Sequence, residues 1–531
     1  MKDFAALLER LVLTPSRNAK IRLLAEYFAA TPDPDRGYAL AAITRDLDIR
    51  SVKPAMLRSL VHERIDAELF EISYDYVGDL AETISLIWPA RPGPNRPPAL
   101  GEVIETLNAA ARADGPRLMA GWLDAMDAGE RWALIKLVTG GLRIGVSARL
   151  AKTALAEFGG APVTDIEEMW HALAIPYTEL FAWLEGRGEK PDATSPGYFR
   201  PVMLACPLEE KDLDALDLCA VAIEWKWDGI RVQATSEAGV RRLYSRNGDD
   251  IGAAFPDVIE ALDFEGVIDG ELLVYDPDAT PFAVRPFSEL QKRLNRKSVD
   301  RKLLQSCPAF VRAYDALSLD GEDLRASPFS ERRRRLEVFA SRRPLARIDL
   351  SPTLDFEDKD ALAAARAAPP DDAIEGVMLK RLASSYVPGR PKGEWWKWKR
   401  EPFLIDAVLM YAQRGHGKRS SFYSDYTFGV WTDEGALTPV GKAYFGFTDE
   451  ELKRIDKFVR ENTTDRFGPV RQVVAEPGDG LVFEVAFEGL NASPRHKSGV
   501  AMRFPRINRI RWDKPPGEAD RLEALKRLLQ G

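Results

Sequence analysis

One lysine in the sequence stands where it could act as a nucleophile. Lys226 lies in the run EWKWDGIR, residues 224–231, between two tryptophans and just before an Asp-Gly pair. A lysine among aromatic side chains loses hydration, which lowers the pKa of its ammonium group, and the neutral amine is a nucleophile. The same run also fits a lysine that reaches solvent from a strand edge beside an ordinary hairpin turn. The lysine alone therefore does not decide between the two interpretations.

Short charged motifs follow this lysine in a fixed order. They are SRNG at 245–248, DGEL at 269–272, AYD at 313–315, EGVMLK at 375–380, KWK at 397–399 and RFPRINRIRWDK at 503–514. With K-x-D-G-x-R at 226–231, they make seven elements between residues 226 and 514. This series resembles the motif order of the covalent nucleotidyltransferases, which include DNA ligases, RNA ligases and mRNA capping enzymes.

Two sequence motifs that precede Lys226 narrow the resemblance to one type of DNA ligase. GGLRIGV at 140–146 is similar to an element of the helical DNA-binding domain in ligases of the eukaryotic and archaeal replicative type. PVMLA at 201–205 resembles the segment that opens their adenylation domain. The resemblance implies an enzyme, an ATP-dependent DNA ligase that seals nicks in duplex DNA. It would act through lysyl-AMP and an adenylated 5′-phosphate, joining 3′-OH to 5′-phosphate in DNA replication, repair or recombination.

The resemblance also implies roles for particular side chains, with Lys226 as the nucleophile that carries AMP. The side chains implied to bind ATP or AMP are Glu224, Arg231, Arg246, Glu271, Tyr314, Lys397, Lys399, Arg511 and Lys514. Glu271 and Glu375 would bind Mg²⁺ or Mn²⁺, since such hard cations prefer oxygen ligands. The residues implied to contact DNA are Arg143, Gly145, Arg246, Arg503 and Arg506.

The roles implied by the resemblance agree with a geometry that the residue types allow. Lys397 and Lys399 alternate along a strand, so both should face the α-phosphate of ATP. Tyr314 offers a flat ring on which adenine could stack. Glu224 is expected on the same strand face as Lys226, where its carboxylate could accept a hydrogen bond from the adenine amino group. Separately, four consecutive arginines at 332–335 are expected on an exposed helix face that contacts DNA.

The elements that must position these residues change in character along the chain. Residues 1–195 show helical apolar spacing and predict an all-α domain, the DNA-binding domain of the resemblance. Residues 196–400 mix strand-like runs with helical segments and predict an α+β nucleotidyltransferase, or adenylation, domain. Residues 401–531 carry short strands that suit a small β-barrel, which the resemblance implies to be an OB-fold. A charged helix is predicted at 518–530. The fold class is therefore multi-domain.

The amino-acid composition limits the possible class of protein further. The 531 residues carry a formal net charge of −8, which alone argues against a phosphate-binding protein. The acidity is uneven, because residues 379–400 and 495–514 each hold seven basic residues and one acidic residue. Three cysteines cannot supply the four-cysteine zinc module that NAD-dependent ligases carry. No apolar run is long enough to span a membrane, so we expect a cytoplasmic, nucleoid-associated prokaryotic protein.

Three alternatives share some of these motifs: an RNA ligase, a capping-type nucleotidyltransferase and a non-catalytic nick-binding protein. Capping enzymes lack a helical domain with the LRIG element before the lysine domain. A non-catalytic protein would be expected to have lost the lysine or the metal-binding acids, yet Lys226, Glu271 and Glu375 are all present. We therefore predict a catalytic DNA ligase, a monomer that encircles nicked duplex DNA; the sequence indicates no protein partner.

Overall fold

The helical and strand-rich regions of the chain are distributed over two compact units. The computed structural model describes residues 1–49, 51–77, 79–89, 91, 93, 96–192, 196–279, 283–294, 296, 298–342, 345–414, 422–467, 470–493 and 496–529. The first unit comprises Met1–Ala161, Ala174–Glu189 and Pro402–Gly531, and the second comprises Pro162–Leu173 and Lys190–Glu401.

The N-terminal region is helical, as its apolar spacing predicts. Its helices are α1 (Lys2–Leu13), α2 (Arg17–Ala30), α3 (Asp35–Thr44), α4 (Pro54–His62), α5 (Ala67–Val77), α6 (Leu80–Ile87), α7 (Leu100–Ala109), α8 (Gly115–Ala125), α9 (Ala128–Val138), α10 (Ala148–Gly159), α11 (Val163–Met169) and α12 (Thr178–Leu184). The apolar face of α1 is buried through Phe4, Leu8 and Leu11. Ser16 and Ser147 cap α2 and α10, because each side chain accepts a hydrogen bond from a first-turn N–H.

The second unit contains two β-sheets among its described residues, with helices between the strands. Its elements are β1 (Cys206–Pro207), α13 (Glu210–Ala215), β2 (Val221–Trp227), β3 (Ile230–Glu237), β4 (Val240–Ser245), α14 (Pro256–Glu260), β5 (Gly266–Val274), α15 (Phe287–Gln291), α16 (Arg301–Ser306), β6 (Ala309–Leu319), β7 (Glu322–Asp323), α17 (Phe329–Arg342), β8 (Ile348–Leu350), β9 (Thr353–Leu354), α18 (Lys359–Ala367), β10 (Ile374–Arg381) and β11 (Trp395–Lys399). One sheet has the order β1-β11-β10-β2-β9, and the other β4-β3-β5-β6-β7 with β8 beside β6. Because β2, β10 and β11 are neighbours, three of the predicted motifs lie side by side.

The C-terminal region is rich in strands. Its elements are β12 (Phe403–Arg414), β13 (Tyr423–Trp431), β14 (Leu437–Ala443), α19 (Asp449–Glu461), β15 (Thr463–Phe467), β16 (Val470–Val473), β17 (Val482–Phe487), β18 (Gly489–Ala492), β19 (Val500–Arg503), β20 (Arg506–Arg511) and α20 (Leu522–Arg527). The sheet order is β14-β13-β12-β16-β15, and β17 pairs with both β12 and β20. Ile455 and Val459 of α19 pack into a core with Tyr426, Phe428 and Phe483. The coarse fold class predicted from the sequence is confirmed for the helical N-terminal and strand-rich C-terminal regions.

The predicted C-terminal helix at 518–530 is longer than the observed α20. Pro516–Glu518 forms a separate 3₁₀ turn. The backbone of Asp520 is bonded to the sheet instead, donating to Asp406 O at 2.8 Å and accepting from Trp431 N at 3.1 Å. Those two bonds use the peptide groups that a continuous helix would need, so α20 begins only at Leu522.

The expectation that arginines 332–335 form an exposed, DNA-contacting face is wrong for the first two. Arg332 is fully buried and donates two hydrogen bonds of 2.8 Å to the two carboxylate oxygens of Asp315. Arg333 is buried as well and lies 3.2 Å from a carboxylate oxygen of Glu224. The other two arginines of the run pair with glutamates at the surface. Consecutive helix positions point in different directions, so a run of one residue type cannot share one face.

Within the described part of the chain, no helix is long and apolar enough to cross a lipid bilayer.

The buried ion pair of Arg332 with Asp315 predicts that two nearby arginines of α17 contribute very differently to the free energy of unfolding. Arg332→Ala should lower the free energy of unfolding by about 3 kcal/mol or more, because it leaves the Asp315 carboxylate buried without its cation. Arg334→Ala is the matched control, since Arg334 pairs with Glu331 at the surface, and it should leave stability nearly unchanged. Urea titrations followed by circular dichroism measure both. Equal midpoints for the two variants would contradict the structural role of Arg332.

Candidate active site

Lys226 and Glu375 are brought together by the pairing of β2 with β10. Gly376 lies opposite Lys226 on one side and opposite Lys399 of β11 on the other. The register with β2 shifts between Ile374 and Gly376, so Glu375 is an extra residue on β10. Such a bulge re-aims a side chain relative to the regular strand. Its carboxylate contacts the Lys226 ammonium through Oε1 and lies 2.8 Å from Lys399 Nζ through Oε2.

Glycine is required beside this carboxylate. Gly376 has φ +147°, a conformation that L side chains rarely adopt. A Cβ at this position would overlap the carbonyl oxygen of Trp398 on β11. The Glu-Gly pair of the motif is therefore explained by geometry, since the glutamate supplies the charge and the glycine lets β11 approach.

The pKa values of the two predicted metal-binding acids are shifted in opposite directions. Burial raises the pKa of Glu271 to about 8, although Lys226 and Arg231 lower it, and Glu375 and Asp228 raise it further. Burial also acts to raise the pKa of Glu375, but Lys226 and Lys399 outweigh it and hold this pKa below its ordinary value. Their surroundings therefore favour the protonated form of Glu271 and the ionised form of Glu375.

The two carboxylates near Lys226 suit a Mg²⁺ ion that is bound partly by the protein and partly by a substrate. The described residues contain no group of three or more His, Cys, Asp or Glu side chains arranged to hold a metal ion. Mg²⁺ in nucleotide enzymes is usually bound by one or two carboxylates together with substrate phosphates. Glu271 and Glu375 interact electrostatically and meet that description. A cation there would favour the ionised form of Glu271, whose pKa burial raises.

Other cations surround Lys226. The pKa of Lys397 lies below its ordinary value, first because of burial and then because of Lys226, Arg390, Lys399 and Arg246. A concentration of like charge that depresses a lysine pKa is relieved when a polyanion binds. The cluster therefore suits a triphosphate. Arg390 was missed as a site residue by the sequence analysis, although it belongs to the basic segment 379–400.

Arg231 is held by a buried carboxylate. Its guanidinium makes a two-point ion pair with Asp269 at 2.6 and 3.0 Å and donates to Met203 O at 2.6 Å. The hydroxyls of Tyr314 and Tyr386 donate to the same carboxylate at 3.2 and 2.7 Å. Asp269 and Tyr386 are further site residues that the sequence analysis did not single out. Asp269 stands in the DGEL motif, but only the fold shows what it holds.

Glu224 is buried between two cations. One oxygen accepts a hydrogen bond from Lys380 Nζ, and the other lies 3.2 Å from Arg333. The same Lys380 ammonium lies 4.1 Å from the centre of the Tyr314 ring. The structure thus links the two residues predicted to contact adenine through one buried lysine, and their contacts with adenine stay predictions.

The predicted cations of the C-terminal region share an acidic partner. Arg511 and Lys514 lie 3.2 and 2.7 Å from one carboxylate oxygen of Asp406. Arg511 also pairs with Asp513 at 3.0 Å. Arg503 ends β19 and Arg506 begins β20. Asp406 is another residue that the motif alone did not indicate.

The helical region places Arg143 and Gly145 at a groove of about 830 Å³. Arg17, Lys20 and Arg45 line the same groove, and none of its described lining residues is acidic. Three arginines and one lysine without an acid make the groove positively charged, within a region whose sequence is acidic overall. Arg17 and Arg45 were missed by the sequence analysis, because they are far from Arg143 in sequence.

A buried lysine fixes the loop that carries Arg143. Lys20 Nζ donates to Ile144 O at 2.6 Å and to Gly145 O at 3.0 Å. Arg143 itself has φ +42°, which is uncommon for a residue other than glycine. The loop is therefore held in a sparsely populated backbone conformation that presents the exposed Arg143 side chain to the groove.

Three family models match the chain. They are described as DNA ligase N terminus over residues 1–156, ATP dependent DNA ligase domain over 202–399, and ATP dependent DNA ligase C terminal region over 419–514. Together with the relatives described next, they show that the chain belongs to the ATP-dependent DNA ligases. The family, the enzyme class and the use of ATP with a divalent metal, all predicted from the motifs, are confirmed.

Full-length relatives agree with this assignment. A protein named DNA ligase 1 from Korarchaeum cryptofilum is 30% identical, covering 100% of this chain and 98% of its own length. A probable DNA ligase from Koribacter versatilis is 31% identical, covering 99% of this chain and 96% of its own length. The solved structure described as Pmar-Lig_PreS3 has 15% identity and a TM-score of 0.59, covering 96% and 99% of the two chains. That structure supports the fold.

The raised pKa of Glu271 predicts a pH dependence of stability. Between the unfolded pKa of about 4.5 and the folded pKa of about 8, the folded protein binds more protons, so stability falls as pH rises. Glu271→Gln removes this proton uptake. In EDTA, its melting temperature should therefore fall less than that of the wild type between pH 6 and pH 9. Glu523→Gln, at an exposed glutamate, is the control. Parallel pH curves for wild type and Glu271→Gln would show that this carboxyl group is not perturbed.

Proposed function

We propose that this ligase seals nicks in duplex DNA by three phosphoryl transfers that begin at Lys226. In the first, the amine attacks the α-phosphorus of ATP, the bond to the β-phosphate oxygen breaks, and pyrophosphate leaves with the bonding electron pair. In the second, an oxygen of the 5′-phosphate at the nick attacks lysyl-AMP and displaces the lysine. In the third, the 3′-hydroxyl attacks the adenylated 5′-phosphate and displaces AMP.

The contact of Lys226 with Glu375 is the observation that carries this proposal. Phosphoryl transfer depends mainly on positioning and on neutralising charge. The carboxylate orients the lysine and lies next to the proton that must leave before the amine attacks. A divalent cation held by Glu271 and Glu375 would supply further neutralisation of phosphate oxygens. Lys397 and Lys399, two residues apart on β11, extend their charge toward the same phosphates.

The remaining contacts with nucleotide are proposed on the same basis. Glu224 and Tyr314 would contact adenine, and Arg231 the ribose. Arg511 and Lys514 would orient the pyrophosphate, which requires them to exchange Asp406 for phosphate oxygens. Each proposed contact is supported by a charged or aromatic group that the fold holds in place, and each agrees with the role implied by the motifs.

We further propose that Arg246 grips the 5′-phosphate at the nick. Burial first, and then Arg231 and Arg390, hold the pKa of Arg246 below its ordinary value. An arginine crowded by other cations gains most when it meets a dianionic phosphate, and its planar fork can donate to two oxygens.

The domain organisation is part of the proposal. We place a helical DNA-binding domain at 1–195, an adenylation domain at 196–400 and an OB-fold domain at 401–531. The long strand β12 supports the barrel, because it pairs with β13 on one side and with both β16 and β17 on the other, with register shifts along it. Action as a monomer that encircles DNA, at the nucleoid of a prokaryotic cytoplasm, stays a prediction.

The groove of the helical region supports binding to the DNA backbone. Arg143 and Gly145 were predicted to contact DNA, and the structure adds Arg17 and Arg45 beside them. Side chains of this type neutralise backbone phosphates without reading sequence, which suits a protein that must act at any nick. Arg503 and Arg506 would supply phosphate contacts from the C-terminal region.

The nucleophile is tested by labelling. With Mg²⁺ and α-labelled ATP, the wild type should form a labelled protein that transfers AMP to nicked duplex DNA, whereas Lys226→Ala should not be labelled. Lys211→Ala, at an exposed lysine of the same unit, is the control and should label normally. Equal labelling of Lys226→Ala would exclude the assignment. Labelling by GTP alone would favour a capping-type enzyme, and preference for nicked RNA would favour an RNA ligase.

The groove is tested through the salt dependence of binding. Arg45→Ala should weaken binding to nicked duplex and reduce the slope of log affinity against log salt by about 1, because one phosphate contact is lost. Arg10→Ala is the control, since Arg10 is exposed on α1 and is not part of the groove lining. Fluorescence anisotropy at several salt concentrations measures both. An unchanged slope for Arg45→Ala would remove this residue from the interface.

A further inference from the structure

Three large aromatic side chains are exposed in the C-terminal region. Tyr444 and Phe445 follow β14 directly and are 60% and 41% exposed, and Phe504 between β19 and β20 is 62% exposed. The Tyr444 and Phe445 rings lie 5.3 Å apart. Large rings are costly to leave in water, and a contiguous apolar patch commonly marks an interaction site. We refer to Tyr444 and Phe445 as the aromatic turn.

The aromatic turn is fixed to the start of β20. Ile507 N–H donates to Phe445 O at 3.1 Å. The next residue, Gly446, has φ +102°, and a Cβ on it would overlap the carbonyl oxygen of Ile507. Glycine therefore lets the turn lie directly against the strand. The two rings are presented from a fixed backbone, so little conformational freedom would be lost when they bind a partner.

Basic side chains flank the aromatic turn. Arg506 directly precedes Ile507, the residue that holds the turn. Arg503 lies at the end of β19, where its guanidinium is 5.8 Å from the centre of the Phe504 ring. Residues 495–514 carry seven basic residues and one acidic residue. At least two cations, Arg503 and Arg506, are therefore neighbours of the exposed rings or of the backbone that carries them.

This combination fits DNA better than another protein. Cations bind backbone phosphates, while exposed rings pack on sugars and bases or wedge against base steps. A protein partner for so basic a patch would itself have to be strongly acidic, whereas the substrate of a DNA ligase is a polyanion by nature. Charge complementarity thus favours DNA as the occupant.

We infer that the aromatic turn packs against the sugar and base edges of duplex DNA beside the nick, while Arg503 and Arg506 bind flanking phosphates. This inference rests on the proposed function and extends it, because Tyr444 and Phe445 belong to none of the seven motifs. The rings would add binding energy that does not depend on counterion release. They would act in the steps that require DNA and not in formation of lysyl-AMP.

The experiment compares variants of the full chain for binding to nicked duplex. Tyr444→Ala/Phe445→Ala should raise the dissociation constant about tenfold, as loss of aromatic packing on nucleic acid does. The slope of log affinity against log salt should stay at the wild-type value, because no phosphate contact is removed. Arg503→Ala should instead reduce that slope by about 1. Tyr444→Phe/Phe445→Tyr keeps both rings and should bind as the wild type does.

Two controls separate a specific contact from general damage. Phe467→Ala removes an exposed ring of similar size, 54% exposed on β15, and should leave the dissociation constant unchanged. Labelling with ATP in the absence of DNA reports that each variant is folded, and the single variant Tyr444→Ala replaces the double variant if that one is unstable.

The outcomes distinguish this inference from the proposed function. If the wild type forms lysyl-AMP and seals nicks, but the alanine variant binds nicked duplex with wild-type affinity, the inference is overturned and the function stands. The same holds if the ring-preserving variant loses as much affinity as the alanine variant. A wild type that forms no lysyl-AMP overturns the proposed function itself.

Discussion

A single carboxylate between two lysines sets the geometry of the candidate active site. Glu375 reaches Lys226 on one neighbouring strand and Lys399 on the other. This arrangement needs the bulge at Glu375, the bare backbone of Gly376 and the order β11-β10-β2. Loss of any of these would separate the charges. The sheet therefore holds three charged groups at fixed spacing, which is the main requirement of the phosphoryl transfer proposed for this site.

Buried ion pairs extend this control of charge beneath the site. Asp269 holds Arg231, Asp315 holds Arg332, and Glu224 is held by Lys380 and Arg333. Burying such charges is costly, and an apolar core of equal volume would often be at least as stable. Their presence is understandable where a site must bind a polyanion, because paired charges orient the groups that face the substrate without leaving a net charge in the interior.

The acidity of the chain is compatible with a DNA substrate because the charge is separated by position. The groove of the helical region is lined by four cations and, among its described residues, by no acid. Burial first, and then the cations clustered around Lys226, hold the pKa of Lys397 below its ordinary value. The net charge of a protein governs its solubility and its non-specific association, whereas the charges near a site govern what that site attracts.

The sequence by itself determined the family and the alternation of helical and strand-rich regions, because these depend on residue type and on short-range spacing, and on the same basis it predicted the nucleophile. It did not place Arg390, Asp406, Arg17 or Arg45, and it misjudged the exposure of Arg332 and Arg333. Those facts depend on strand register and helix packing, which join residues far apart in the chain. A sequence motif shows which charged residues are present, but only the tertiary structure decides which of them face each other. The physical reason is that Coulomb energy and desolvation depend on distance and burial.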